Sequence, residues 1–379
     1  MRISVLIMAG GVGSRFWPES RARRPKQLLD VITPGVSLIQ ATVRRTLLFA
    51  EIGDTFVVTN EAQREELELQ LPDLPKANII TEPFGKNTAP CIALGARLLR
   101  EKNGDDTIMI VLPADHVIRN ESEFARLMKI AARLAYDTRA LITVGIHPTR
   151  AETGFGYIQL DDEHLPSQKD LPHFSEFELR DIFCVKRFAE KPDVDTARRF
   201  VESGDFLWNS GMFIWRVDAI EAALREFTPE IMQEIDTLPK LGNGGGDAAH
   251  HAFQAALKEA YSTIRGVSID YGVMEQAANV YVLRAGALGW SDVGSWDEVY
   301  RLSEKDLENN VLIGSHVIAR NSRGCLLISR NEQLVLTYGM TDLVVVNTGD
   351  AILITRRDQA QGIREVVDYL KRRQMTEFL

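Results

Sequence analysis

The glycine-rich turn that follows the first apolar segment constrains the fold of this chain more than any other feature. Ile3–Ala9 is apolar and ends at Gly10 and Gly11, with Gly13 and Arg15 close behind. Glycines placed directly after a strand let backbone N–H groups approach phosphate oxygens without a Cβ in the way. The apolar segment is too short for a signal peptide or a membrane span. It therefore predicts a buried strand followed by a phosphate-binding turn.

Short apolar runs alternate with segments of helical spacing over the first part of the chain. The predicted strands are Ile3–Ala9, Thr55–Thr59, Ile108–Leu112 and Leu141–Gly145, and the predicted helices are Ser37–Ala50, Ala89–Glu101 and Ser122–Ala135. This alternation is typical of an α/β fold with helices on the faces of a sheet. In such folds ligands bind at the carboxyl ends of the strands, so we expect a nucleotide-binding arrangement.

The C-terminal part of the chain differs in character. Val311–Ile354 consists of short strand-like pieces separated by turn signals, and Gln361–Arg373 predicts a charged amphipathic helix. We expect a catalytic domain over 1–301 and a small β-rich module over 302–379. The glycine-rich stretch 241–247 predicts a flexible surface loop.

Charge and cysteine content exclude several classes of partner. The net charge of −9 argues against a nucleic-acid or anionic-membrane surface, because both need a broad basic face. The first thirty residues nevertheless carry six basic and two acidic side chains, a local charge of +4 that favours a small polyanion. Cys91, Cys184 and Cys325 show neither disulfide nor zinc spacing, which fits a reducing cytoplasm.

Four charged residues near predicted turns are candidates for catalysis. Arg15 and Lys26 supply cations next to the glycine turn, and Asp115 follows the strand Ile108–Leu112. Asp292 lies in a glycine-flanked turn. Carboxylate oxygens are the ligands that Mg²⁺ prefers, so we predict that Asp115 and Asp292 share one Mg²⁺. The structural alternative for Asp115 is a helix cap.

Nine ordered motifs resemble the mannose-1-phosphate guanylyltransferases, a branch of the sugar-nucleotide pyrophosphorylases. Between about residues 3 and 297 they run AGGVGSRFWP, RPKQ, TEPFGKNTAP, LPADH, ETGFGYI, FAEKP, LWNSGMF, SIDYGVME and GWSDVGSW. The resemblance implies a Rossmann-like nucleotidyltransferase fold with a mixed central sheet, and Mg²⁺ as cofactor. The implied reaction is attack by the phosphate of mannose 1-phosphate on the α-phosphorus of GTP, releasing pyrophosphate. Such chemistry depends on positioning and charge neutralisation.

The resemblance also implies roles for individual residues. The triphosphate would be held by Gly10, Gly11, Gly13, Arg15 and Lys26, and the metal by Asp115 and Asp292. The sugar phosphate would meet Gly156, Glu190, Lys191 and Asn209, with Glu190 and Asn209 bonding the hydroxyls and Lys191 the phosphate. The base would lie near Glu82, Asn87, Thr88 and Ala89.

Glu82 is the residue that we expect to help choose guanine. One carboxylate can accept both the N1–H and the N2 amine of guanine, whereas adenine offers no such pair of donors. The alternative is that Glu82 only caps the turn before Pro83, and that backbone groups near Asn87, Thr88 and Ala89 contact the base.

The tail resembles the short β-helical extension of single-function family members, which helps to build a dimer. Members with a fused isomerase domain run about a hundred residues beyond Leu379, so we expect only the transferase activity and a homodimer. Two other functions stay open: a pyrophosphorylase for another base or sugar, and a nucleotide-sugar sensor without catalysis. A sensor would be expected to lack at least one of Arg15, Lys26, Asp115 and Asp292, and all four are present.

Overall fold

The computed structural model describes residues 1–11, 13–240 and 247–379. Most of the stretch predicted as a glycine-rich loop, 241–246, lies outside the described residues. The strands are β1 Ile3–Met8, β2 Thr55–Asn60, β3 Ile79–Glu82, β4 Ile108–Pro113, β5 Leu141–Ile146, β6 Tyr157–Asp161, β7 Ile182–Ala189, β8 Phe206–Arg216, β9 Val280–Ala285, β10 Val311–Ile313, β11 Val317–Arg320, β12 Leu326–Ser329, β13 Val335–Tyr338, β14 Leu343–Asn347 and β15 Ile352–Arg356. The α-helices are α1 Leu38–Thr46, α2 Glu61–Gln70, α3 Thr88–Asn103, α4 Glu121–Thr138, α5 Glu176–Leu179, α6 Val194–Ser203, α7 Val217–Phe227, α8 Pro229–Asp236, α9 Asp247–Thr263, α10 Trp296–Leu302 and α11 Ile363–Arg372.

A nine-stranded mixed sheet forms the centre of the molecule, in the order β3-β2-β1-β4-β8-β5-β9-β7-β6. β1 pairs in parallel with β2 and β4, and the register sets Met8 beside Pro113. β2 and β3 are also parallel, with Asn60 beside Glu82. The carboxyl ends of β1, β3 and β4 therefore lie at the same edge of the sheet, where ligands bind in open α/β folds.

The apolar side chains of the central strands are divided between the two faces of the sheet. Along β1, Leu6 belongs to the apolar cluster on one face, and Val5 and Ile7 belong to the cluster on the other. This alternation follows from the two-residue period of a strand. Because helices cover both faces, the middle of β1 is wholly buried, as is usual for parallel strands.

The C-terminal strands form two small sheets, β10-β12-β14-β15 and β11-β13. All their pairings are parallel except that of β14 with β15, which gives the coiled arrangement of a β-helix. A third apolar cluster joins this module to the glycine turn, because Phe16 and Trp17 pack with Ile328, Val344 and Ile363. The module is therefore docked on the same edge of the sheet that carries the turn.

The structure confirms the predicted fold class. The four predicted strands end within one residue of the observed ones, and the predicted helices contain or overlap α1, α3, α4 and α11. The β-rich character of Val311–Ile354 is also confirmed. No helix in the described part of the chain is long and apolar enough to cross a membrane.

Candidate active site

Two adjoining cavities open at the carboxyl ends of the central strands. The main cavity, of about 520 Å³, is lined by the predicted residues Gly10, Gly11, Glu82, Asn87, Thr88, Gly156, Glu190, Lys191 and Asn209. The adjoining cavity, of about 470 Å³, is lined by Gly13, Arg15, Lys26 and Asp115. Asp292 and His116 line both cavities. Of the predicted site residues, only Ala89 lines neither.

The glycine turn after β1 is held by two residues of the RPKQ motif. Gly13 has a φ of 62°, and a Cβ at this position would lie 2.8 Å from the backbone nitrogen of Lys26. Glycine is therefore required there. The buried Gln27 donates from Nε2 to the carbonyls of Ala9 at 2.7 Å and Gly11 at 3.1 Å. Gln27 was not predicted as a site residue, and its position next to Lys26 in the motif was the only signal for it.

Lys26 joins the two predicted metal-binding residues. Its Nζ lies 2.7 Å from Asp115 Oδ2 and also donates to the backbone carbonyl of Asp292. Lys26 itself is buried, whereas both aspartates are partly exposed. The structure thus places Asp115 and Asp292 around the same Lys26 ammonium, a neighbourhood that sequence distance could not indicate.

Burial and charge affect the two carboxylates differently. Burial alone would raise the pKa of Asp115, but the Lys26 ammonium next to it brings the pKa below its ordinary value. Burial, together with the negative charge of Asp115, raises the pKa of Asp292 although Lys26 opposes the change. Asp115 is therefore the more firmly ionised of the pair.

His116, next to Asp115, is a neutral part of this site. Burial, followed by the positive charges of Lys26 and Arg45, lowers the pKa of His116 to about 4, although Asp115 opposes this. Trp290 Nε1 donates to His116 Nδ1 at 3.2 Å, which leaves the proton of the neutral ring on Nε2. Neither His116 nor Trp290 was predicted as a functional residue, although both stand in the quoted motifs.

The donor set at Asp115 and Asp292 fits a Mg²⁺ ion whose other ligands come from phosphates and water. The Asp292 carboxylate accepts no hydrogen bond from the described residues, so its oxygens are available. Across the described ranges, no group of three or more His, Cys, Asp or Glu side chains forms a complete metal cage. Mg²⁺ commonly binds through one or two carboxylates plus substrate phosphates, which is the arrangement this pair allows.

Glu82, at the end of β3, faces the main cavity from a buried position. Its Oε1 accepts a hydrogen bond from Tyr261 at 2.8 Å, and its Oε2 points towards Gly10 on the glycine turn. Burial raises the pKa of Glu82 to about 7, and the bond from Tyr261 opposes the change. One oxygen of the carboxylate is thus bound within the protein, and the other lies on the cavity side.

Two of the backbone donors near the alternative base contacts are already used. The N–H of Thr88 donates to the Asn87 side chain at 2.9 Å, and the N–H of Ala89 donates to Val267 at 3.1 Å. Ala89 is fully buried at the start of α3. Asn87 has a φ of 70°, an unusual value for a residue other than glycine. The N–H groups of Thr88 and Ala89 are therefore engaged within the protein.

The predicted sugar residues meet on the opposite side of the main cavity. A Cβ on Gly156 would meet the Glu190 carboxylate, which would have to shift, and would lie 3.3 Å from Asn209 Cβ, so Gly156 leaves room for these two side chains. Lys191 Nζ lies 3.0 Å from Glu190 Oε1. Asn209 Nδ2 donates to Asp270 Oδ1 at 2.7 Å. Gly156, Glu190, Lys191 and Asn209 thus lie close together in the structure.

Asp270 is a site residue that the predictions missed. It lines the main cavity at the start of a single π-helical turn, Asp270–Met274, a feature often found at functional sites. Burial and the nearby charge of Glu190 raise the pKa of Asp270 to about 6. Its place in the SIDYGVME motif was the available signal.

Comparisons with known proteins agree with this geometry. A family model described as Nucleotidyl transferase matches residues 4–309, and one described as MannoseP isomerase/GMP-like beta-helix domain matches residues 315–370. A mannose-1-phosphate guanylyltransferase of Escherichia coli is 38% identical over 380 residues, which is 98% of this chain and 75% of that protein. Its namesake from Salmonella muenchen is 40% identical over 370 residues, or 97% and 73% of the two chains.

Among solved structures, the chain is similar to a Thermus thermophilus protein described as a mannose-1-phosphate geranyltransferase. The TM-score is 0.82 at 28% identity, over 98% of this chain and 100% of that one. The likeness therefore extends over the nine-stranded sheet and the C-terminal module alike.

Proposed function

This chain belongs to the nucleotidyl transferase family, among the mannose-1-phosphate guanylyltransferases, and we propose that the two cavities joined at Asp292 are its active site. The protein transfers GMP from GTP to α-D-mannose 1-phosphate, giving GDP-mannose and pyrophosphate. The observation that carries this assignment is the contact of Lys26 with both Asp115 and Asp292 beside the glycine turn. In this contact Lys26 Nζ meets the Asp115 carboxylate and the backbone carbonyl of Asp292, a residue that lines both cavities.

The residues of the site act by holding and neutralising phosphates. A phosphate oxygen of the sugar substrate attacks the α-phosphorus of GTP, the bond to the β-phosphate oxygen breaks, and pyrophosphate leaves. Arg15 and Lys26 offset the negative charge that grows on the leaving group. His116, which is neutral and bonded to Trp290, adds no further charge next to Asp115. No side chain is required as a general base, because the attacking phosphate is already ionised.

Nucleotidyl transferases of this family use a divalent metal ion, and we assign it as Mg²⁺ held by Asp115 and Asp292. When bound, the ion neutralises phosphate charge and aligns the reacting groups. Support comes from the free oxygens of Asp292 and from the buried cation of Lys26, which keeps Asp115 ionised.

The main cavity holds the base and the sugar at opposite ends. We assign the base to the end lined by Glu82, Asn87 and Thr88, and the sugar to the end lined by Glu190 and Asn209. At the sugar end, the Glu190 carboxylate accepts hydrogen bonds from hydroxyl groups, Asn209 donates from Nδ2, and Lys191 reaches the sugar phosphate. Asp270 orients the Asn209 amide through their 2.7 Å hydrogen bond.

We further propose that the protein is a homodimer formed through the C-terminal module. Several large apolar side chains of this module are exposed, namely Ile318, Leu334, Leu336, Tyr338, Ile352 and Ile354. The register sets Ile318 beside Leu336 on the outer face of the β11-β13 sheet, which makes an exposed apolar pair. Sedimentation of the full-length chain as a monomer at micromolar concentration would refute this proposal. Neither nucleic acid nor membrane is a proposed partner.

The proposed function is tested with the purified protein, mannose 1-phosphate and GTP, by measuring pyrophosphate release. A panel of four nucleoside triphosphates and several sugar 1-phosphates identifies the preferred pair, which we expect to be GTP and mannose 1-phosphate. A faster reaction with glucose 1-phosphate and UTP or ATP would favour the alternative pyrophosphorylase. Binding of GDP-mannose without any pyrophosphate release would indicate a sensor.

The three free thiols, Cys91, Cys184 and Cys325, suit our further proposal that the reaction takes place in the cytoplasm.

A further inference from the structure

The C-terminal helix α11 forms one wall of the adjoining cavity. Its residues Ile363 and Val367 pack in the same apolar cluster as Phe16 and Trp17, which follow the glycine turn. Trp17 Nε1 also donates to the carbonyl of Phe378 at 2.8 Å, which fixes the end of the chain beyond the helix. The position of α11 beside the turn is therefore set by both apolar packing and a hydrogen bond.

One stripe of α11 carries charged residues into the adjoining cavity. Arg364, Asp368 and Lys371 all line it, together with Arg15 and Lys26. Their spacing of four and three residues places them on one face of a helix, next to the buried face. Lys371 Nζ lies 3.9 Å from Asp368 Oδ1, whereas Arg364 forms no ion pair with the described residues.

We propose that Arg364 and Lys371 bind the β- and γ-phosphates of the nucleotide, which leave as pyrophosphate, so that the C-terminal module completes the active site. This inference rests on the proposed function. Arg15 and Lys26 are the other cations that line this cavity, and Lys26 also contacts Asp115, so two further cations would strengthen the binding of a compact polyanion. A guanidinium can form paired hydrogen bonds to phosphate oxygens, and Arg364 is free to do so.

The reverse reaction isolates this subsite, because pyrophosphate and GDP-mannose are then separate substrates. The test variant is R364A/K371A, and the matched control is R372A/R373A, which removes the same charge from residues that do not line the cavity. We expect the KM for pyrophosphate to rise at least about tenfold in the test variant, the scale of one or two lost charged hydrogen bonds. The KM for GDP-mannose should stay within about twofold of the wild-type value, since GDP-mannose lacks the leaving phosphates.

The outcomes separate this inference from the proposed function. A pyrophosphate KM equal to that of the control variant, or a lower kcat with that KM unchanged, overturns the inference while the proposed function stands. A wild-type protein that forms no GTP from GDP-mannose and pyrophosphate refutes the proposed function itself. Thermal melting checks that the variants fold. If R364A/K371A melts early, the charge-keeping variant R364K/K371R and the neutral variant R364Q take its place. A pyrophosphate KM close to wild type in R364K/K371R supports the inference. A pyrophosphate KM identical to wild type in R364Q overturns it.

Discussion

The carboxylates of the adjoining cavity and those of the main cavity lie in different electrostatic surroundings. In the adjoining cavity, Asp115 contacts the Lys26 ammonium and has a lowered pKa. In the main cavity, Glu82 has only a Tyr261 hydroxyl and Asp270 has an Asn209 amide, and their pKa values rise to about 7 and about 6. The charge of Asp115 is thus compensated by a cation in contact, whereas Glu82 and Asp270 form no ion pair with the described residues.

The difference matches the ligands that the two cavities are proposed to receive. Phosphates and a metal ion bring charge of their own, so the adjoining cavity needs fixed, ionised partners. A base and a sugar bring neutral N–H and O–H donors, which a carboxylate without a cation can accept. We therefore assign rate acceleration mainly to the adjoining cavity and substrate selection mainly to the main cavity.

The largest expected effect is that of Asp292→Asn. The substitution keeps the backbone carbonyl that accepts from Lys26, so only the metal-binding carboxylate is lost. The rate should fall by about two orders of magnitude or more, the scale of a lost transition-state contact, and Asp115→Asn should behave alike. Steady-state kinetics at saturating Mg²⁺ measures this, with the exposed Asp73→Asn as control. Near wild-type activity in either variant would refute the hypothesis that Asp115 and Asp292 share one Mg²⁺.

An intermediate effect is expected for Glu82→Gln, which sharpens the role given to the main cavity. The amide keeps the size of the side chain but loses the charge and one acceptor, so the ratio of GTP to ATP efficiency should fall about tenfold. The exposed Glu65→Gln serves as control. Because the pKa of Glu82 is raised to about 7, GTP affinity in the wild type should also weaken as the pH falls below about 7. An unchanged ratio of GTP to ATP efficiency in Glu82→Gln would indicate that backbone groups, and not Glu82, select the base.

The smallest effect concerns stability and is measured by urea unfolding of Asp270→Asn. The folded pKa of Asp270, about 6, lies above its ordinary value of 3.8. Between these values the folded state binds more protons than the unfolded state, so the free energy of unfolding falls as the pH rises through this window. The asparagine variant avoids that loss and should be more stable than the wild type at pH 8, by about 1 kcal/mol. If the variant and the wild type are equally stable at pH 8, or if the variant remains more stable by the same amount at pH 4, the charge of Asp270 is not uncompensated in the folded state.

The sequence predicted the site residues that directly follow a strand better than those whose role depends on a contact with a distant part of the chain. Gly13 could be placed because a glycine after a strand has a local meaning, and Asp115 because it follows a strand. Asp270 and Gln27 could not, because their roles come from partners far along the chain: Asn209 lies 61 residues from Asp270. The docking of α11 beside Phe16 is a contact of the same long-range kind, so periodicity predicted the helix but not its position.

The division of labour between the two cavities is tested most directly by the single-turnover rate of GDP-mannose formation at saturating GTP and mannose 1-phosphate. Saturation removes differences in binding, so the rate reports the chemical step alone. From this division of labour we predict a fall of about a hundredfold or more for Asp292→Asn and a rate within about threefold of wild type for Glu82→Gln. Equal losses in the two variants, or a larger loss for Glu82→Gln, would contradict it.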